Sequence, residues 1–139
     1  MPVIVIARLR LRHLSLLDEF FTHASGVLEQ AQRSDGNLGA DALAEGQEVW
    51  WDKTAWVGRA QIEAFTSTEP HLSTIRLVDH LCSEASFVDW EQDNADLPDW
   101  QTSWRRLVAE GRSATLTNPT DANETRAFSA PVEPPPSVG

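Results

Sequence analysis

Lys53-Thr54-Ala55-Trp56-Val57-Gly58-Arg59-Ala60-Gln61-Ile62-Glu63-Ala64-Phe65 reads as a strand that ends in a Trp, a turn at Gly58, and a helix whose Ile62 and Phe65 share one face. Upstream, Trp50 and Trp51 begin the same strand, predicted over 48–57 from its Val and Trp content. Side chains alternate along a strand, so Trp50 and Trp56 fall on one face and Trp51 on the other. Bulky apolar residues on both faces require cover on both.

Working outward, Val3 to Leu11 reads as a strand with Arg8 and Arg10 on the face that Ile4 and Ile6 begin. A helix follows from about Ser15 to Arg33, with Leu14, Leu17, Phe21, Ala24, Leu28 and Ala31 as its apolar stripe. Asp35-Gly36-Asn37 stops it. Leu38 to Ala44 is a weak strand, and Glu45-Gly46-Gln47 turns into the Trp-rich one. After the short helix from Arg59 to Thr66, Pro70 restarts a helix with Leu72, Ile75, Leu77, Val78 and Leu81 on its apolar side. Ala85 to Trp90 is a strand. Asp99 caps a last helix that Gly111 ends, and Ser113 to Leu116 could add an edge strand.

This order predicts an α+β fold, a ferredoxin-like four-stranded antiparallel sheet with helices on one face and an added C-terminal helix. The uncovered sheet face predicts a face-to-face homodimer. The domain is expected to span residues 1–117. Residues 118–139, rich in Pro and Thr, are expected to be disordered or draped on the surface, and dispensable for stability.

The chain of 139 residues has 11 basic and 21 acidic side chains, a formal charge of −10. Such a surface repels phosphates, which argues against nucleic acid and anionic membranes as partners. No run reaches a membrane span's length, and the N-terminal apolar run lacks the charge order of a signal peptide. A bacterial, cytoplasmic protein is the default expectation. Cys82 is the single cysteine, so no internal disulfide can form.

Arg8-Leu9-Arg10-Leu11, Thr54-Ala55-Trp56, Phe65 followed by His71, Ala85-Ser86-Phe87-Val88-Asp89-Trp90-Glu91 and Leu97-Pro98-Asp99-Trp100 together resemble the dimeric α+β barrel superfamily. Within it, the chain resembles an uncharacterised bacterial group loosely similar to spheroidene monooxygenase and to antibiotic-biosynthesis monooxygenases. The likeness covers about residues 3–117. It implies a monooxygenase-like activity on a small lipophilic or aromatic molecule, with haem as a possible cofactor. The haem-degrading branch has an Asn on its first strand and a Trp and a His on its second helix; here the first Asn is Asn37, and Phe65 stands at the Trp position, so the likeness to a haem-cleaving site fails at two of the three positions.

His71 and Arg8 are the catalytic candidates: His71 as ligand or proton donor at a helix start, Arg8 as a fork donor to an anionic group. The bland alternatives are a structural hydrogen bond for His71 and pairing with acids on a neighbouring strand for Arg8. Trp56, Trp50 and Phe65 are the candidate lining of an apolar ligand pocket; the alternative is plain core mass. No His, Cys or carboxylate cluster has metal-ligand spacing, so no metal is expected. Two readings stay open: a monooxygenase-like enzyme, and a non-catalytic dimeric module that binds a small ligand or a partner.

Overall fold

The computed structural model describes residues 1–133. Strand β1 (Val3–Leu11) lies at the centre of the sheet. It is followed by α1 (Leu17–Arg33), β2 (Asn37–Glu45), β3 (Val49–Trp56), α2 (Arg59–Thr66), α3 (His71–Ile75), α4 (Val78–Leu81), β4 (Cys82–Glu91), α5 (Trp100–Glu110), the two-residue β5 (Arg112–Ser113) and α6 (Asp121–Thr125). Among the described residues the sheet has five strands in the order β2-β3-β1-β4-β5, every pairing antiparallel. The fold is α+β, as the residue pattern implies, but the expected four strands are five. The difference is β5, whose Arg112 and Ser113 pair with Phe87 and Ser86.

Two helix boundaries also differ. Leu14–Leu16 forms a 3-10 turn, so α1 begins at Leu17 and Ser15 makes no cap. The helix expected from Pro70 to Leu81 is two short helices with Arg76 and Leu77 between them. Gly36 sits at φ +82° between α1 and β2, where a Cβ would lie 2.3 Å from Cγ of Gln61; only glycine takes this turn without strain.

Strand alternation divides the molecule into two cores. On one side Trp50 packs edge-on against Phe20 and Phe21 of α1, at 6.3 and 5.9 Å between ring centres. Leu11, Leu81 and Cys82 complete that cluster. On the other side Trp51, fully buried, meets Trp100 of α5 and Phe128 at 6.5 and 6.0 Å. Ile4, Ile6, Ala55, Val88, Trp90 and Leu107 join it. Helices therefore lie on both faces, which corrects the expectation of helices on one face. Asp99 positions α5 by accepting a hydrogen bond from the Thr102 amide at 2.7 Å, a standard N-cap.

The segment after Asn118 lies against the sheet as far as it is described; residues 134–139 fall outside the described residues. Asn123 of α6 is buried and accepts from the Ala85 amide at 2.8 Å while donating to the Ala114 carbonyl at 3.0 Å. Trp104 donates to the Phe128 carbonyl at 2.8 Å. Arg12 donates to the Asn118 and Cys82 carbonyls, and Asp79 accepts from the Thr117 amide at 2.6 Å. Truncation after Pro119 removes Asn123 and Phe128, and is expected to cost about 2–4 kcal/mol. Urea denaturation of the truncated and full chains measures this; a difference below about 1 kcal/mol would show that the segment only rests on the surface.

Candidate functional site

Even-numbered residues of β3 and odd-numbered residues of β1 and β4 point to the side covered by α1–α3. Register brings Asp52 opposite Ala7, Thr54 opposite Val5, and Phe87 on Ala7's other flank. Helices α1 to α3 do not close down on this part of the sheet, and a cavity of about 570 Å³ opens between them. Its floor is Val5, Ala7, Leu9, Trp50, Asp52, Thr54, Trp56 and Phe87; its roof includes Val27 and Leu28 of α1, Ile62 and Phe65 of α2, and His71. The lining is mainly apolar, with a few polar groups at defined positions, the ordinary constitution of a small-molecule site.

The aromatic groups form a continuous wall. Phe65 packs on Trp56 at 4.9 Å, and His71 packs on Phe65 at 4.9 Å. The Trp56 indole N–H donates to Thr54 Oγ1 at 2.9 Å, so neither polar atom is wasted in burial. His71 is held twice: its amide donates to Gln30 Oε1 at 2.7 Å, and its Nδ1 lies 3.3 Å from the Thr66 carbonyl. A neutral ring with Nδ1 protonated suits that contact. Burial lowers the His71 pKa below its ordinary value, partly offset by the bond to Thr66, so the ring is neutral at pH 7.

Asp52 is the distinctive group. It sits in the middle of the floor, and the exposure it retains is to the cavity it lines. Trp50 Nε1 donates to its Oδ2 at 3.1 Å; among the described residues no cation pairs with it. Burial drives its pKa from 3.8 up to about 6, against the lowering effect of the Trp50 hydrogen bond. A carboxylate so placed is a proton acceptor tuned close to neutrality. The residue pattern contained a signal for it: Asp52 has the same strand parity as Trp50 and Trp56.

The structure thus brings Trp56, Trp50, Phe65 and His71 around one cavity, and places Arg8 elsewhere. Arg8 is on the opposite face. Its Nη1 lies 2.6 Å from Glu84 on β4, with both side chains buried, and its guanidinium stacks 3.9 Å over the Phe128 ring. It is an anchor within the second core. The third charged group of the sheet interior, Lys53, is on that face too, donating to the Pro98 carbonyl at 2.7 Å over the Trp100 ring.

At the rim of the cavity, Arg59 and Arg112 reach the two oxygens of Asp89 at 2.9 and 3.2 Å. Burial raises the Asp89 pKa, but the hydrogen bonds and charges of both arginines outweigh it and hold the carboxyl below its ordinary value.

For haem, the side chains present do not reproduce the haem-cleaving arrangement. Strand β1 carries no Asn, and Phe65, at the helix Trp position, packs against the His71 ring. Among the described residues no cluster of His, Cys, Asp and Glu could hold a metal ion, and no helix is long and apolar enough to cross a membrane.

The α+β fold is one shared with solved structures, among them one described as an antibiotic biosynthesis monooxygenase. One such structure is Rv0793 from Mycobacterium tuberculosis, with a TM-score of 0.61, 16% identity, and coverage of 69% of this chain and 100% of that one. A second, described as an antibiotic biosynthesis monooxygenase, gives a TM-score of 0.59 at 15% identity over 66% of this chain and 99% of the other. A third is a mutant of SnoaB, a cofactor-independent oxygenase from Streptomyces nogalater, with a TM-score of 0.56, 12% identity, and 67% and 94% coverage. No family model and no curated protein matches the sequence. At these identities the likeness is one of fold.

Proposed function

We propose that the chain acts on a small lipophilic or aromatic molecule in the cavity between the sheet and α1–α3, in a monooxygenase-like reaction without a bound cofactor. The observation that carries this is Asp52: a carboxyl with no cation partner among the described residues, its pKa raised to about 6, on the floor of a mainly apolar cavity. Its role is to take a proton from an activated C–H or O–H of the substrate, leaving an electron-rich anion that dioxygen oxidises. For an activated methylene, the CH2 becomes C=O; one oxygen atom stays in the product and the other leaves as water. Trp50, Trp56 and Phe65 hold the ring system, and neutral His71, its Nδ1–H directed at Thr66, accepts a hydrogen bond at Nε2. SnoaB, a protein of this fold described as a cofactor-independent oxygenase, supports the reaction class.

The test is an absorbance spectrum of the purified protein together with oxygen uptake on quinol-like substrates. The expected result is uptake by protein that lacks haem or flavin bands. Uptake that tracks a haem or flavin band would overturn the cofactor-free reading. Binding of an apolar probe without any uptake would favour the other reading, a non-catalytic ligand-binding module. That module is supported by the fact that Thr54 and His71 already have protein partners.

The resemblance implies a homodimer made by pairing two sheets face to face. In this chain α5 and Phe128 occupy that face, and Trp51, Ile4 and Ile6 are buried within one chain. We therefore propose that intramolecular cover replaces the partner's sheet, in a protein of the cytoplasm. Light scattering giving the mass of one chain, 15.5 kDa, is the expected result; twice that mass would restore the dimer.

A further inference from the structure

Two guanidiniums converge on one carboxylate at the rim of the cavity. Arg59 opens α2 and Arg112 lies on β5; each uses a single terminal nitrogen on Asp89, while their side chains are 54% and 72% exposed. A guanidinium has five N–H donors in a fixed fork, so both have donors left over. One arginine would suffice to neutralise Asp89 and tie β4 to a neighbour. The second is surplus to that structural need, and both line the same cavity as Asp52. Glu63, one turn on from Arg59, also borders the cavity, but it is exposed and forms no ion pair with either arginine among the described residues.

We propose that the molecule bound in this cavity is an aromatic or lipophilic acid whose carboxylate is received by Arg59 and Arg112, with its ring system against Trp50 and Trp56. This rests on the reading of the cavity as a ligand site and adds the ligand's charge and orientation. Arginine suits a planar carboxylate because two parallel N–H bonds match its two oxygens. On a protein with a formal charge of −10, a pair of arginines at a pocket mouth also distinguishes this entrance from the surrounding surface. A cationic or a neutral ligand would leave the spare arginine donors to water.

The probes are 1-pyrenecarboxylate and 1-pyrenemethanol, of similar size and differing in charge, followed by quenching of tryptophan fluorescence at pH 8. The carboxylate is expected to bind about ten-fold more tightly at low salt, with the preference shrinking as salt is raised. Arg112→Gln and Arg59→Gln should each remove most of that preference and leave the alcohol's affinity unchanged. Glu63→Gln should strengthen the carboxylate alone. Because both arginines are exposed, the variants should melt with the parent, which is checked on the same samples. If the two probes bind equally, or the arginine variants do not alter the preference, the carboxylate site is wrong while the cavity reading stands. If neither probe binds, both fall.

Discussion

Asp52→Asn is expected to stabilise the protein at alkaline pH while abolishing its proposed chemistry. The sign follows from where the proton is held. In the unfolded chain the carboxyl ionises near 3.8, and in the fold near 6. Between these values the unfolded state has released its proton and the folded state has not, so stability falls as pH rises and stays low above pH 6. The full difference corresponds to roughly 3 kcal/mol at pH 8 and about 1 kcal/mol at pH 4.5. Asparagine keeps an oxygen for the Trp50 indole N–H, so the 3.1 Å hydrogen bond can persist while the buried charge is lost. Urea denaturation at the two pH values should show the variant's gain growing with pH. A gain that is the same at both, or a loss at pH 8, would mean that Asp52 is not held in an apolar setting. On the functional side, removal of a positioned base costs roughly 10²–10⁴ in rate. Oxygen uptake by the parent should rise through pH 6, and the variant should show neither the rate nor that rise.

Arg8→Met is expected to be the most destabilising single change in the second core. It strands Glu84, which is 2% exposed, with only the Arg10 Nε at 3.6 Å. Breaking a buried ion pair from one side costs about 3–5 kcal/mol, because the remaining charge has neither water nor partner. Replacing both members is a different operation. Arg8→Met with Glu84→Leu removes both charges and leaves apolar side chains under Phe128 and Trp51, so most of the loss should return. Chemical denaturation of the single and double variants decides this. If the single variant loses less than about 1 kcal/mol, water must reach Glu84 and the second core is open. Neither variant should alter probe binding in the cavity at a temperature where the chain is folded, since the sheet lies between Arg8 and that cavity.

Several features of this molecule followed from residue pattern alone. The strand alternation at Trp50-Trp51 determined that both sheet faces carry bulky apolar groups, and the order of periodic segments determined an antiparallel α+β fold. The same local rules placed Trp50, Trp56, Phe65 and His71 in segments that could border one pocket. These are properties of neighbouring residues, and backbone geometry translates them directly into faces and periods. Asp52 could have been read from its parity with Trp50 and Trp56, but its raised pKa could not. That depends on how far the helices stand from the sheet and on the absence of a cation paired with it among the described residues, both set by distant residues. Arg8 shows the limit most plainly. Its face was legible, but its partner was not: Glu84 is 76 positions away, and only the β1–β4 register brings it within reach. Cover for the second face was legible as a need, and the chain's own α5 and Phe128 pack on that face. Whether an apolar face is buried by its own chain or by another copy is decided by loop reach and packing, which no local periodicity encodes.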